Sequence, residues 1–281
     1  MTLDDDTLDH LTAEVIDVAR AAGQRILEIY DTPFEITEKA DETPLTTADL
    51  AANQLIVDAL YALTPETPIL TEESADIPFS ERHRWHTYWL VDPLDGTREF
   101  IKKNGEFSVN IALICHRIPV IGVVYAPVMD LLYFARRHAG AWKQRGPEPP
   151  VQIRVRPVPD DNHITVARSR APKTGPKLKS FLAKLGMHRE VSMGSALKSC
   201  LVAEGLADVY ARLGPTSEWD TGAAQCIVEE AGGRIVDTHL CRNLRYNTKD
   251  SLLNPHFLVF GDNNRDWLKY LHDSESSTVS T

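Results

Sequence analysis

In Trp89-Leu90-Val91-Asp92-Pro93-Leu94-Asp95-Gly96-Thr97 an apolar run gives way, with no spacer, to two acids three positions apart. The run reads as a strand. Pro93 and Gly96 bend the backbone around its end, and in sheet proteins ligands gather at strand ends, where loops converge. Carboxylates crowded at such a place repel each other unless a cation neutralises them. Oxygen donors without Cys or His suit a hard ion, Mg²⁺ rather than zinc. Asp, Pro and Gly also make ordinary surface turns, so the stretch by itself leaves that alternative open.

Other acids stand in comparable places. Glu72 and Glu73 follow the short apolar run 68–70, again at a strand end, where a solvated acidic loop is the plain alternative. Asp220 follows Trp219 and opens a predicted helix, a common position for an Asp N-cap. Asp49, in Thr46-Thr47-Ala48-Asp49, completes a Thr-x-x-acid capping signature at another helix start. Met193-Gly194-Ser195-Ala196-Leu197-Lys198 puts Gly and Ser at a helix start with a Lys about one turn in. Backbone N–H groups there favour phosphate oxygens and Lys adds a point charge. A Ser N-cap beside an exposed Lys would have the same sequence.

The formal net charge of −10 argues against a nucleic-acid binder and leaves room for a small anionic substrate drawn in by a cation or a local basic pocket. Cys115, Cys200, Cys226 and Cys241 are widely spaced, without a zinc-clip pattern, and read as reduced thiols of a cytoplasmic protein. The acidic residues 1–6 lack the features of a signal peptide, and no apolar run reaches the roughly 18–20 residues of a membrane span.

Apolar residues at Leu8, Leu11, Val15, Val18, Ala22, Ile26 and Ile29 predict a helix over about 7–31, and a second is predicted over 47–63. Short β-rich runs follow at 68–70, 88–91, 108–115, 120–125 and 131–134, punctuated by Pro119, Pro127 and Asp130. The Pro-rich stretch 145–150 is the predicted domain boundary. Beyond it, strands at 164–167, 208–211 and 234–236 alternate with helices at 177–185, 196–203 and 221–230. The expectation is a mixed helix–sheet sandwich in two halves, 1–150 and 151–272, with a disordered polar tail at 273–281.

Thr71-Glu72-Glu73-Ser74, the run Asp92 to Thr97 and Trp219-Asp220-Thr221-Gly222-Ala223-Ala224, in this order, resemble the inositol monophosphatase superfamily of lithium-sensitive, metal-dependent phosphatases. Segments 39–49, 88–114, 122–130 and 197–221 look most like its bacterial 3′(2′),5′-bisphosphate nucleotidases of the CysQ type. The likeness runs from about residue 9 to residue 262 and is absent in the tail.

The resemblance implies an α+β or α/β fold, the layered αβαβα sandwich shared with fructose-1,6-bisphosphatase, in two subdomains. It implies Mg²⁺, roughly two or three ions per active site. Glu72, Asp92 and the Leu94 carbonyl would hold one ion; Asp92, Asp95 and Asp220 would hold another. Asp49 and Thr97 would activate water, with Glu72 also catalytic and Glu73 an accessory or surface acid. Glu72, Asp95, Gly96, Thr97, Ser169, Gly194, Ser195, Lys198, Arg212 and Asp220 would line the substrate site.

The implied reaction is hydrolysis of 3′-phosphoadenosine 5′-phosphate to AMP and phosphate, in sulfur assimilation. The sulfated analogue, 3′-phosphoadenosine 5′-phosphosulfate, is a second implied substrate. Inositol or fructose phosphate hydrolysis and a non-catalytic ligand sensor are the alternatives. A monomer or homodimer is implied, in the cytoplasm, with or without peripheral attachment to the inner membrane. Two departures touch substrate preference: Arg170, where relatives carry a histidine, and Ala196, where they often carry a serine. An arginine at 170 would suit an extra phosphate or sulfate.

Overall fold

The computed structural model of the protein describes residues 3–33, 36–38, 44–158, 163–170 and 174–271. The tail 273–281 and residues 39–43 of the segment ending at Asp49 lie outside them. Helix α1 (Asp5–Tyr30) starts at an Asp4 cap, whose carboxylate accepts from the Thr7 amide at 3.0 Å. A short hairpin, β1 (Ile36–Glu38) and β2 (Pro44–Thr46), leads into α2 (Thr47–Leu63). Then come β3 (Ile69–Thr71), α3 (Phe79–Arg82), β4 (Thr87–Asp95), α4 (Thr97–Ile101), β5 (Ser108–Cys115), β6 (Ile118–Ala126), β7 (Leu131–Arg136), β8 (Ala141–Arg145) and β9 (Val151–Ile153). Strands β3 to β9 lie side by side in chain order as a seven-stranded sheet. Its first pair is parallel; the others are antiparallel.

The second sheet is assembled from β10 (Ile164–Arg168), β11 (His188–Ser192), β12 (Val209–Arg212), β13 (Arg234–Asp237), β14 (Arg242–Asn243) and β15 (Phe257–Phe260), in the order β11-β10-β12-β15-β13-β14. Helix α5 (Pro176–Leu185) links β10 to β11. Helix α6 (Leu197–Ala203) precedes β12, and α7 (Gly222–Glu230) precedes β13.

Alternation along each strand sorts the core into three slabs. Trp89, Val91, Ile111 and Val123 face α1 and α2. Tyr88, Leu90, Ala112 and Val124 face the other way, onto Cys200 and Val202 of α6 and Ile227 and Val228 of α7. Those helices also meet Ala167, Tyr210, Ile235 and Val259 of the second sheet. The far side of that sheet, with Val166, Val209 and Leu258, packs on Phe181 of α5 and on Trp267. The order of layers is therefore helix, sheet, helix, sheet, helix.

The Pro-rich stretch 145–150 is the turn between β8 and β9, so the first sheet continues to Ile153 before the chain enters the second. Proline ends strands and makes turns within a sheet as readily as it marks linkers. Strand β15 escapes the alternation pattern because Phe257, Leu258, Val259 and Phe260 are buried on both faces. Strands β8 and β11 escape it for the opposite reason: they are half-exposed and carry Arg, Lys and Glu. Cys115, Cys200, Cys226 and Cys241 are unpaired. Among the described residues no helix is long and apolar enough to cross a membrane.

Gly122 of β6 sets the approach of the middle layer. A Cβ there would stand 2.2 Å from the Ala223 carbonyl oxygen and 2.8 Å from Cys226 Cβ, so α7 would have to lift off the sheet. Gly122→Ala should lower stability by about 2–3 kcal/mol. Equilibrium unfolding against the parent protein checks this, and an unchanged midpoint would show that the layers separate freely.

Candidate active site

Strand β3 runs parallel to β4 with Thr71 opposite Val91, so the next residues, Glu72 just past the end of β3 and Asp92 within β4, stand level with each other. Asp92 and Asp95 would point to opposite faces of a regular strand, being an odd number apart. Their partners on β5 show why they do not. Asp92 faces Asn110 and Asp95 faces Ser108, and the register shifts between them as one extra residue is taken up. Asp220 arrives from the C-terminal half on a single 3₁₀ turn, Glu218–Asp220. One carboxylate oxygen each from Glu72, Asp92 and Asp220 then lie within 4.8 Å of one another.

Asp92 is almost fully buried, at 1% exposure, and its Oδ1 accepts from the Leu94 amide at 3.1 Å. Loss of hydration, followed by the charges of Glu72, Asp95, Asp220 and Asp49, pushes its carboxyl well above the usual range. Asp220 is pushed up to about 7, first by burial and then by Asp95. The donors are all oxygen, their charges are crowded, and the group lines a pocket open to solvent. These residues fit a hard divalent cation.

The two oxygens of Asp49 have different partners. Its Oδ2 accepts from the Thr46 amide at 2.8 Å and from the Thr46 hydroxyl at 2.5 Å, closing a capping box at the start of α2. Its Oδ1 accepts from the Thr97 hydroxyl at 3.3 Å. Asp220 is not the N-cap of α7, which is Thr221; it closes a capping box on Ser217 instead, Oδ2 accepting from the Ser217 amide at 2.9 Å. Gly96 stands before α4 with φ +95°.

Glu72, Asp92, Leu94, Asp95, Gly96, Thr97 and Asp220 line an acidic mouth, beside Arg98, Glu99 and Arg212. It opens into a cleft of ≈ 490 Å³ walled by Ser169, Ser195, Lys198, Tyr210, Arg212 and Phe257, among others. Arg98 and Glu99 of α4 and Lys102, just past its end, border this cleft as well. Nothing in the sequence singled them out, although Gly96, directly after two acids, marks the start of the short helix that carries Arg98 and Glu99. Glu73 is half-buried and does not line the mouth.

The segment 193–198 differs from a capped helix start. Ser195 is left-handed at φ +52°, and its hydroxyl donates to Asp95 Oδ2 at 2.7 Å. The Ala196 amide donates to the same oxygen at 2.6 Å, and Asn110 Nδ2 reaches it at 3.3 Å. The N-cap position of α6 is Ala196, without a side-chain cap. The sequence places Ser before a helix, but Asp95 competes for its hydroxyl and wins. Lys198 is buried rather than exposed: its Nζ donates to the Ser195 carbonyl and lies 5.5 Å from the Tyr210 ring centroid. Burial lowers its pKa, and the charge of Asp95 opposes that.

Gly194 does not line the cleft. A Cβ there would come 2.2 Å from the Glu106 carbonyl oxygen, so the position serves close packing. Arg170, whose side chain is about half exposed, grips Glu106 through Nε at 2.8 Å and Nη2 at 2.6 Å. A buried carboxylate nearby is a nearer partner than a ligand would be.

The chain matches the inositol monophosphatase family over residues 7–273. It is similar to the 3′(2′),5′-bisphosphate nucleotidase CysQ of Escherichia coli strain K12, 47% identical over 250 residues, which are 88% of this chain and 98% of that protein. The protein of the same name from Aggregatibacter actinomycetemcomitans is 38% identical over 266 residues, 94% of this chain and 98% of its own. Among solved structures, CysQ from Bacteroides thetaiotaomicron gives a TM-score of 0.79 at 40% identity, with 92% of this chain and 98% of that chain covered. An inositol monophosphatase from Anabaena gives 0.74 at 24% identity, with 94% and 96% covered, a likeness of fold alone. The chain belongs to the inositol monophosphatase family.

Proposed function

We propose that the protein is a Mg²⁺-dependent phosphatase that removes the 3′-phosphate of 3′-phosphoadenosine 5′-phosphate, giving AMP and phosphate, in sulfur assimilation. The observation that carries this reading is the junction of two unlike spaces. An acidic mouth built from Glu72, Asp92 and Asp220 opens directly into a cleft with Lys198 and Arg212 in its wall. A doubly phosphorylated nucleotide needs both: cations where one ester is cut, and fixed positive charge where the other phosphate rests. The names of the similar proteins agree with this.

Mg²⁺ bound at the acids would supply Lewis acidity, stabilising charge on the transferred phosphoryl group and making water acidic enough to attack. Glu72, Asp92, Asp95 and Asp220 together carry a charge that about two divalent ions would balance. The Thr97 hydroxyl, donating to Asp49 Oδ1, is placed to accept a proton from the attacking water as it hands its own to Asp49. Asp49 is held for this task by its other oxygen, fixed in the α2 cap. Lys198 and Arg212 would bind the second phosphate, and Tyr210 and Phe257 offer an apolar wall to the base.

Phosphate release should be faster from 3′-phosphoadenosine 5′-phosphate than from inositol 1-phosphate and should stop on chelation; the reverse order of rates would overturn the nucleotide reading. Asp49→Asn and Thr97→Val should each lower kcat by about 10²–10⁴-fold with the fold intact, as steady-state assays and circular dichroism would show.

The same acids give the metal-free protein a pH dependence. Burial and the charge of Asp95 push the Asp220 carboxyl from its ordinary 3.8 up to about 7 on folding, so the folded state holds the extra proton between them. Stability in chelator should therefore fall as pH rises through that window, full below it and lost above it. Asp220→Asn should make this fall shallower without abolishing it, because burial also raises the carboxyls of Asp92 and Glu218. Melting temperatures in EDTA across the window test it, and a variant with the parent's slope would contradict the assignment.

A further inference from the structure

Arg82 is buried to 2% exposure, yet its guanidinium donates to backbone carbonyls and a side-chain amide rather than to a carboxylate. Nη1 donates to Asn247 Oδ1 at 2.6 Å and to the Lys249 carbonyl at 3.1 Å. Nη2 donates to the Asp250 carbonyl and Nε to the Ile77 carbonyl at 3.3 Å. Asn247 returns a bond from its Nδ2 to the Arg82 carbonyl. The guanidinium carbon lies 5.0 Å from the centre of the Phe79 ring. A planar fork that donates through all three of its nitrogens holds its partners in one geometry, which a lysine cannot reproduce.

The position of this fork in the chain gives it a consequence. Arg82 ends α3, between the turn that carries Glu72 and the strand that carries Asp92. What it grips is the start of a strap, 247–254, that wraps the turn bearing Asp220. The Asn247 amide donates to Glu218 Oε2 at 2.8 Å, and the Glu218 amide to the Leu252 carbonyl at 2.9 Å. The Asn254 amide donates to the Thr216 carbonyl at 2.7 Å and its Nδ2 to the Ser217 carbonyl at 2.6 Å. Three carboxylates with oxygens inside 4.8 Å repel, and without a cation that repulsion acts to push the Asp220 turn away from the sheet.

We infer that Arg82, working through Asn247 and the strap 247–254, is a positioning residue that locks the Asp220 turn against Glu72 and Asp92, so that the cation site is assembled before the cation arrives. The inference rests on the cation reading given above. A site that must be rebuilt on binding loses the cost of that ordering from its affinity.

Calorimetric titration of purified, metal-free protein with Mg²⁺ tests this directly. Arg82→Lys and Asn247→Ala should bind Mg²⁺ about 10–100-fold more weakly than the parent, the range found when groups behind metal ligands are removed. Arg156→Lys is the matched control: Arg156 pairs with the buried Asp208 at 2.8 Å, away from these acids, and the change should lower the melting temperature without weakening Mg²⁺. Folded Arg82→Lys and Asn247→Ala proteins that bind as tightly as the parent, or lose no more than Arg156→Lys, would overturn the inference. Should neither variant fold, hydrogen exchange on the parent decides. The Glu218 and Asn247 amides should be protected in chelator, and free exchange there until Mg²⁺ is added would overturn it. A parent that binds no Mg²⁺ would instead sink the cation reading.

Discussion

The mutual repulsion of acids brought to one point is the constraint around which this molecule is organised. Asp92 alone feels Glu72, Asp95, Asp220 and Asp49 while nearly stripped of water. Folding gains nothing from such an arrangement by itself; in the absence of a cation it is a cost that the surrounding structure must absorb. The absorbing elements are ordinary ones. A parallel strand pair sets Glu72 beside Asp92, a one-residue register shift turns Asp95 inward, and capping boxes fix Asp49 and Asp220.

In those two caps a single oxygen serves the backbone. Oδ2 of Asp49 satisfies Thr46 while Oδ1 meets Thr97. Oδ2 of Asp220 satisfies the Ser217 amide, and the residue still offers an oxygen to the acidic group. Capping uses one oxygen of each carboxylate and leaves the other facing the acidic group, so a capping signature in the sequence does not exclude a place in the site.

Much of the fold was visible in advance because it rests on periodicity. The long α1 and α2 show one apolar face, and β4 to β7 show apolar runs ended by turn residues. The order of the acids along the chain, and their oxygen-only chemistry, likewise pointed to a cation. What could not be read was tertiary competition. Ser195 looks like a helix cap until Asp95 takes its hydroxyl, and Lys198 looks exposed until Tyr210 covers it. Arg170 looks available to a ligand until Glu106 claims it. Arg82 lies in a segment with no motif at all, and its partners Asn247, Lys249 and Asp250 are more than a hundred residues away in sequence.

The two sheets contribute different kinds of residue to the same opening. The acids come from the ends of β3 and β4 and from the turn that packs over them, whereas the cleft wall takes Ser169 after β10, Tyr210 and Arg212 from β12, and Phe257 from β15. Strands β10 and β12 run parallel, and Arg212 pairs with Phe257, so these positions share one rim of the second sheet. A lineage with this architecture can therefore change what it recognises by altering one rim while its bond-breaking apparatus stays untouched. Descendants that differ in diet but share a single chemistry are the expected outcome.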